Sequence, residues 1–227
     1  MSRGRMTSRG SRYTGNGLLS GLVSHWKFDT ASIGADAHGS NTLTNSGASI
    51  GTGKLNECAV LASSDNLTKT NTSFKAHTGA FTIAFWMYYE GSGSLISITH
   101  DDAVNFPFTV NDSPHGTLYG SIEGSGSEYP EASVSGLADA TWNFVVFKYD
   151  PSSLIISLQV NNGTATTAAA PAANAAASGA GNALLILNLE ANATRIDSMS
   201  FWTEVKTAAQ MTALYNSGSG LDYASFT

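Results

Sequence analysis

The side chains able to do chemistry here are a few carboxylates, five histidines, one cysteine and many hydroxyls, and their spacing limits what each can do. Glu123, Glu128 and Glu131 are the nearest cluster of glutamates. Glu123 and Glu131 flank and Glu128 lies within Gly124-Ser-Gly-Ser-Glu-Tyr-Pro130, a stretch too loose to hold an acid and a nucleophile against one bond. Asp197 is different. In Ile196-Asp-Ser-Met-Ser-Phe-Trp202 it shares the parity of Met199 and Phe201, so the pattern turns it inward. An inward carboxylate has to find a cation or several donors, because leaving it unpaired is costly.

Other chemistries lack their motif. Serines abound, but no Gly-x-Ser-x-Gly elbow presents one, and His25 and His77 read as strand-end residues. The glycines fall in turns without the Lys-Ser/Thr of a phosphate-binding loop. Cys58, in Cys-Ala-Val-Leu, reads as a small buried hydrophobe, and as the only cysteine it cannot form an internal disulfide. His100-Asp-Asp102 reads as a solvated loop. An exposed aromatic is what a sugar-stacking platform requires; Tyr88, Tyr119, Tyr129 and Trp202 are candidates, each equally suited to a core.

Strands have to position these groups. Phe81-Thr-Ile-Ala-Phe-Trp-Met-Tyr-Tyr89 and Trp142-Asn-Phe-Val-Val-Phe-Lys-Tyr149 are aromatic and β-branched on both parities, which predicts paired central strands covered on both faces. Shorter strands are predicted at Leu22–Phe28, Glu57–Ala62, Leu95–Thr99, Phe106–Val110, Thr117–Ile122, Leu154–Val160, Asn182–Leu189 and Arg195–Trp202. Asn161-Asn-Gly163 predicts a type I′ turn. Thr207-Ala-Ala-Gln210 forms a capping box ahead of Met211, Leu214 and Tyr215, predicting one short helix that stops at Gly218. Residues 164–181, rich in alanine but without a large apolar anchor, read as a loop or a weak strand edge. The expected fold is all-β: a two-sheet antiparallel jelly-roll sandwich with one short C-terminal helix.

The chain's 227 residues suit one large β-domain, residues 20–227, preceded by a Gly/Ser/Arg arm, residues 1–19. Charged residues make up only 12%, so the surface is solvated by hydroxyls and amides. Arg3, Arg5, Arg9 and Arg12 stand in the arm, with no acid before Asp29. Without those four of the 11 basic residues, 7 remain against 17 acids, a balance of −10 that excludes nucleic acid as a partner of the main body. No apolar run is long enough for membrane insertion, and the N-terminal residues lack the apolar core of a secretion signal.

Gly21-Leu-Val-Ser-His-Trp-Lys-Phe-Asp29, Gly53-Lys54, Phe81-Thr-Ile-Ala-Phe-Trp86, Trp142 to Asp150, Leu158-Gln-Val-Asn-Asn-Gly163, Ile196 to Trp202 and Ala213-Leu-Tyr-Asn-Ser-Gly218 occur in a telling order. Together they resemble the laminin G-like, concanavalin A-like lectin/glucanase jelly rolls, in particular pentraxin-related bacterial and phage modules. The resemblance spans about residues 20–220. It implies a structural calcium joining the first long loop to the last strand, with Asp197 and, in Asp36-Ala-His-Gly-Ser-Asn41, Asp36 as its carboxylates. The alternative for these carboxylates is satisfaction by backbone N–H groups or by Arg195. The paired-acid motif Glu-x-Asp-x-x-Glu of glycosidases on this fold is missing, so the expectation is no enzyme.

Two functions remain in view. One is a non-catalytic structural surface module, a phage capsid decoration or tail-associated protein located on the virion. Its basic arm would bind other virion subunits, itself included. The other is a carbohydrate-binding adhesion lectin for cell-surface glycans, calcium-dependent or not, reaching the outside by a non-Sec route.

Overall fold

The computed structural model describes residues 15–29, 32–70, 72, 79–90, 97–101, 108–112, 116–122, 129–170, 183–188 and 190–227. Arg3, Arg5, Arg9 and Arg12, His77, Asp102, Glu123 and Glu128, and most of the alanine-rich stretch, lie outside the described residues.

Two antiparallel sheets pack face to face. The eight-stranded sheet contains β1 (Leu22–Trp26), β3 (Ser49–Thr52), β4 (Glu57–Leu61), β6 (Phe81–Tyr89), β11 (Thr141–Asp150), β12 (Ile155–Val160), β13 (Thr166–Ala169) and β15 (Thr194–Trp202). Its order is β13-β12-β11-β6-β15-β4-β3, with β1 paired to β15. The seven-stranded sheet contains β2 (Thr44–Ser46), β5 (Asn66–Lys69), β7 (Ser97–Asp101), β8 (Phe108–Asp112), β9 (Thr117–Ser121), β10 (Glu131–Ser135) and β14 (Ala183–Leu187), ordered β10-β9-β8-β7-β14-β5-β2.

The two aromatic strands are the middle of the molecule. β6 and β11 pair from Phe81↔Tyr149 to Tyr89↔Thr141. One parity enters the core between the sheets, where Phe81, Phe85 and Phe147 meet Phe201 from β15 and Ile98, Val110, Leu118 and Ile186 from the opposite sheet. The Phe81 and Phe201 rings stack at 5.8 Å. The other parity of β6 and β11 is apolar because it builds a second core. Ala84, Trp86, Phe144 and Val146, with Trp202 of β15, are covered by Leu18, Leu22, Met211, Leu214 and Phe226. Each such buried side chain contributes roughly 1.5–3 kcal/mol.

That cover comes from one helix and the two terminal segments. α1 (Ala208–Tyr215) starts at the expected capping box: Thr207 accepts from the Gln210 N–H, and the Gln210 side chain accepts from the Thr207 N–H. It ends earlier than expected, at Asn216 with φ 48°, because asparagine tolerates the left-handed cap that Gly218 was expected to supply. The packed body also starts earlier than residue 20. Leu18 is wholly buried and accepts from the Trp202 indole N–H at 2.7 Å, while Asn16 and Thr227 bond each other through backbone and side chain. The Lys206 ammonium is wholly buried; it donates to the carbonyls of Gly17 and Ser20 and to Glu204 Oε1, tying the entry of the chain to the end of β15.

The other local expectations divide. Asn161 and Asn162 both have positive φ, as a type I′ turn demands, and Gly163 N–H closes it onto Val160. Cys58 is buried and its thiol donates to the Thr52 carbonyl. Leu154, expected in a strand, sits in the turn before β12 with φ 54°.

Candidate functional site

β15 changes its edge partner halfway along. Thr194–Ile196 pair with β4, whereas Met199–Trp202 pair with β1, and between them the ladder to β6 slips at a bulge where Ser198 has φ 48°. The bulge corrects the parity assigned to Asp197. Ile196 and Met199 both enter the core, so Asp197 does not; it stands opposite Trp86, on the outer side of the sheet. It is nevertheless wholly buried, beneath the loop that leads into β4. In that loop Leu55 N–H donates to Asp197 Oδ2 at 2.7 Å. Gly53 permits the approach, since a Cβ there would lie 2.1 Å from the Glu57 carbonyl oxygen.

Asp197 Oδ1 has no partner, and neither does the buried Oδ1 of Asp29. Asp29 arrives because Phe28, buried and at φ 60°, turns the chain sharply after β1. Asp29 and Asp197, with His25, Lys27, Asn56 and Asp222, line a cavity of about 10 Å³, room for one water-sized species. Burial, with the Asp29 charge adding to it, pushes the Asp197 carboxyl up to about 7 against the pull of the Leu55 and Lys54 N–H groups. Burial likewise raises Asp29, against Lys27 and the Glu57 N–H. Two orphaned carboxylate oxygens at a cavity of one-atom size fit a hard cation such as calcium, and Asp29 and Asp197 would hold it. Among the described residues no group of three or more His, Cys, Asp or Glu gathers to hold a metal.

The second expected ligand, Asp36, has other partners. Its Oδ1 accepts from the N–H groups of His25, His38 and Gly39, and its Oδ2 from Asn41 N–H. Burial works to raise it, but these bonds and the Ser24 hydroxyl outweigh burial and hold it below the usual carboxylate range. Asp36 thus clamps the loop after β1 onto that strand, and the cavity at Asp197 is closed by Asp29 instead. Arg195, the other expected partner of Asp197, pairs with Glu90 at 2.9 Å. Asp29 escaped sequence reasoning because only the left-handed turn at Phe28 directs it inward.

His25 lies within β1 with its ring buried. Its Nδ1 is 2.7 Å from Ser200 Oγ, and its ring stacks on Tyr223 at 4.7 Å. Burial, then Lys27, lower it to about 3, so it is neutral at physiological pH. Ser200 is buried too, so no substrate reaches this pair. Glu131 begins the exposed edge strand β10.

The aromatic candidates separate cleanly. Trp202 is core, and Tyr129 is half-exposed just before β10. Tyr119 lies on the outer face of the seven-stranded sheet, partly exposed. Tyr88, on the outer face of the eight-stranded sheet, meets Trp142 edge-on at 5.5 Å and carries the Arg195 guanidinium over its ring at 4.6 Å. Trp142 and Glu90 were not sequence candidates for a site, and Arg195 was one only as a partner of Asp197; the strand register brings Trp142 and Arg195 beside Tyr88.

Comparison with known proteins agrees with this architecture. The family model described as Concanavalin A-like lectin/glucanases superfamily matches residues 61–212. No curated protein matches the sequence. The binding domain of botulinum neurotoxin DC in complex with SialylT superposes with a TM-score of 0.69 at 11% identity, covering 87% of this chain and 51% of that one. The binding domain of Paraclostridial Mosquitocidal Protein 1 gives 0.69 at 14% identity, covering 88% and 53%. The neurotoxin DC binding domain in complex with rat synaptotagmin II gives 0.70 at 11%, covering 88% and 52%. The chain spans about half the length of these structures, and at such identities the likeness is one of fold.

Proposed function

The chain belongs to the concanavalin A-like lectin/glucanase superfamily, and from that premise we propose that it is a non-catalytic recognition module that binds glycans through the outer face of its seven-stranded sheet. The observation that carries this is the register of that sheet. Ser133, Tyr119, Asn111, Ser97, Leu187, Asn66 and Ser46 stand side by side in one row across all seven strands. Glu131, Ser121, Thr109, Thr99, Leu185, Thr68 and Thr44 make the parallel row. The chain neighbours Ala132, Leu118, Ile186 and Leu67 fill the core, so Ser133, Tyr119, Leu187, Leu185, Asn66 and Thr68 of these rows belong to the outer face. Glu131, at the edge, is the only formal charge in either row. Tyr119, Leu185 and Leu187 offer apolar surface for the C–H face of a sugar, framed by residue types that exchange hydrogen bonds with its hydroxyls.

That one similar domain is seen in complex both with SialylT and with rat synaptotagmin II supports ligand recognition as a use of this fold. We place the module on the outer surface of an assembled particle, as a phage capsid decoration or tail-associated subunit. The sparsely charged composition supports this, as do Arg3, Arg5, Arg9 and Arg12 ahead of an acidic body. The arginines would attach it to acidic subunits, its own copies included, by ion pairing that salt weakens.

The test is a glycan array probed with the full chain and with Tyr119→Ala. Binding that the substitution reduces at least tenfold is expected; a flat response from the folded full chain, with and without calcium, sinks the proposal. Solution mass across a salt series, with and without residues 1–14, tests the attachment. An assembly indifferent to both would remove the arm from it.

A further inference from the structure

The eight-stranded sheet carries a different constellation on its own outer face. Trp142, Tyr88, Arg195, Val60 and Ser49 stand opposite one another on five adjacent strands, a single transverse row. The row lies beyond α1, and its members are part-exposed, Ser49 fully so, whereas the next row inward, Phe144 and Trp86, is buried under Tyr215 of the helix. Tyr88 is gripped from two sides, by Trp142 at its edge and by the Arg195 guanidinium over its ring. Arg195 is fixed further by Glu90, Nη2 to Oε1 at 2.9 Å, and about a third of each side chain remains exposed.

We propose that Trp142, Tyr88, Arg195 and Glu90 form a second saccharide-binding site, selective for a neutral pyranoside. It takes its ligand class from the recognition function above but not its location, since the two sites are on opposite outer faces. A part-exposed indole at the margin of the second core, beside a tyrosine, gives a pyranose C–H face its stacking surface at little conformational cost. At the far end a fixed guanidinium donor lies beside a carboxylate acceptor, which suits two adjacent sugar hydroxyls: one accepts from Arg195 while the other donates to Glu90. From Trp142 to Arg195 is two strand spacings, ~10 Å, the reach of one or two sugar rings.

The pairing also sets the class. Arg195 is already neutralised by Glu90, so an acidic sugar would have to displace that carboxylate, and the chain's net charge of −6 opposes its approach. A neutral sugar meets neither obstacle. A cation–π clamp serving packing alone would leave the ligand out, and the experiment separates the two.

The probes are methyl glucoside, methyl galactoside, methyl mannoside and methyl N-acetylglucosaminide, with sialyllactose as the acidic comparator. The readout is the set of indole N–H resonances of the full chain. Trp26, Trp86 and Trp202 are 0–2% exposed, so Trp142 is the indole a surface ligand can shift. At least one neutral glycoside is expected to shift the Trp142 signal saturably. Glu90→Gln, which is exposed and outside either core, should raise the apparent Kd about tenfold, and Tyr119→Ala should leave the Trp142 response unchanged. A Trp142 signal indifferent to all four neutral probes overturns the proposal, as does a response to sialyllactose alone. Array binding lost in Tyr119→Ala with a silent Trp142 would leave the first site standing without the second. A saturable Trp142 response beside an array to which Tyr119→Ala binds as well as the unsubstituted chain is the reverse case.

Discussion

Replacing Asp197 by asparagine should make the protein more stable at neutral pH and leave it unchanged in mild acid. Asp197 rises from an ordinary 3.8 to about 7 in the fold. Between those values the folded form keeps a proton that the unfolded form has released, so stability falls as pH rises, by ~1.4 kcal/mol per pH unit. Over the whole window that is about 4 kcal/mol, of order-of-magnitude precision. His25 works the other way. It drops from 6.5 to about 3, so the stability it contributes is present above 6.5 and is lost as pH falls toward 3. Burial is the main cause, with Lys27 and His38 lowering it and Asp36 and Asp222 opposing.

In the wild type these two slopes oppose each other between about pH 4 and 6.5. An asparagine amide keeps the shape of the carboxyl and the Leu55 contact but does not titrate, so Asp197→Asn uncovers the rising slope of His25. The measurement is urea unfolding of both proteins in EDTA at several pH values from 4 to 8. The difference in unfolding free energy is expected near zero at pH 4 and about 4 kcal/mol in favour of the variant by pH 7.5. Taking the difference removes every group the two proteins share. Adding calcium should close the gap by stabilising only the wild type, through mass action on the Asp29–Asp197 cavity. A difference independent of pH in EDTA, or one favouring the wild type at neutral pH, would refute the reasoning.

Three further substitutions probe what holds the site in place. Lys206→Ala leaves the Ser20 carbonyl without its ammonium donor and removes the ion pair to Glu204, while Gln210 still serves Gly17, so it should cost about 1–3 kcal/mol by thermal unfolding. Gly39→Ala places a Cβ 2.2 Å from the Val23 carbonyl oxygen and 2.9 Å from Asp36 Oδ2. A loss of ~1–3 kcal/mol is expected, and a neutral result would show that the Asp36 clamp is not rigid. Thr207→Ala removes the helix cap and should cost about 1 kcal/mol in denaturant unfolding, with glycan binding by the opposite sheet unchanged.

How much of this was legible in the sequence depended on how strongly each segment is patterned. Phe81–Tyr89 emerged with its bounds intact, and its partner within a residue at each end, because aromatic residues on both parities leave no other placement. β2, β3, β5 and β10 went unpredicted: they are three to five residues long, mostly polar, and held by neighbours rather than by propensity, whereas β13 falls in the stretch read as a loop or weak strand edge and is an edge strand of its sheet. The capping box located α1 because it is a local hydrogen-bond pattern, while its stop at Asn216 depended on a backbone angle that two residue types can supply. The site was the least legible. One bulge residue, Ser198, moved Asp197 to the other side of its sheet, and one left-handed residue, Phe28, brought Asp29 to meet it. Asp36 looked like a cation ligand because a short run of N–H groups and a metal both call for a carboxylate followed by small residues.

The position of β15 has a consequence for how the chain assembles. This strand is last in sequence yet central in its sheet, with β6 on one side and β4 and β1 on the other. Until it is in place, β1, β3 and β4 have no connection to β6, β11 and β12, and both halves expose an unpaired edge beside apolar side chains. Closing that gap joins residues more than a hundred positions apart, which slows folding and prolongs the interval in which an edge can capture another chain. Folding of this sandwich is therefore expected to end, as a single late insertion, with residues 194–202.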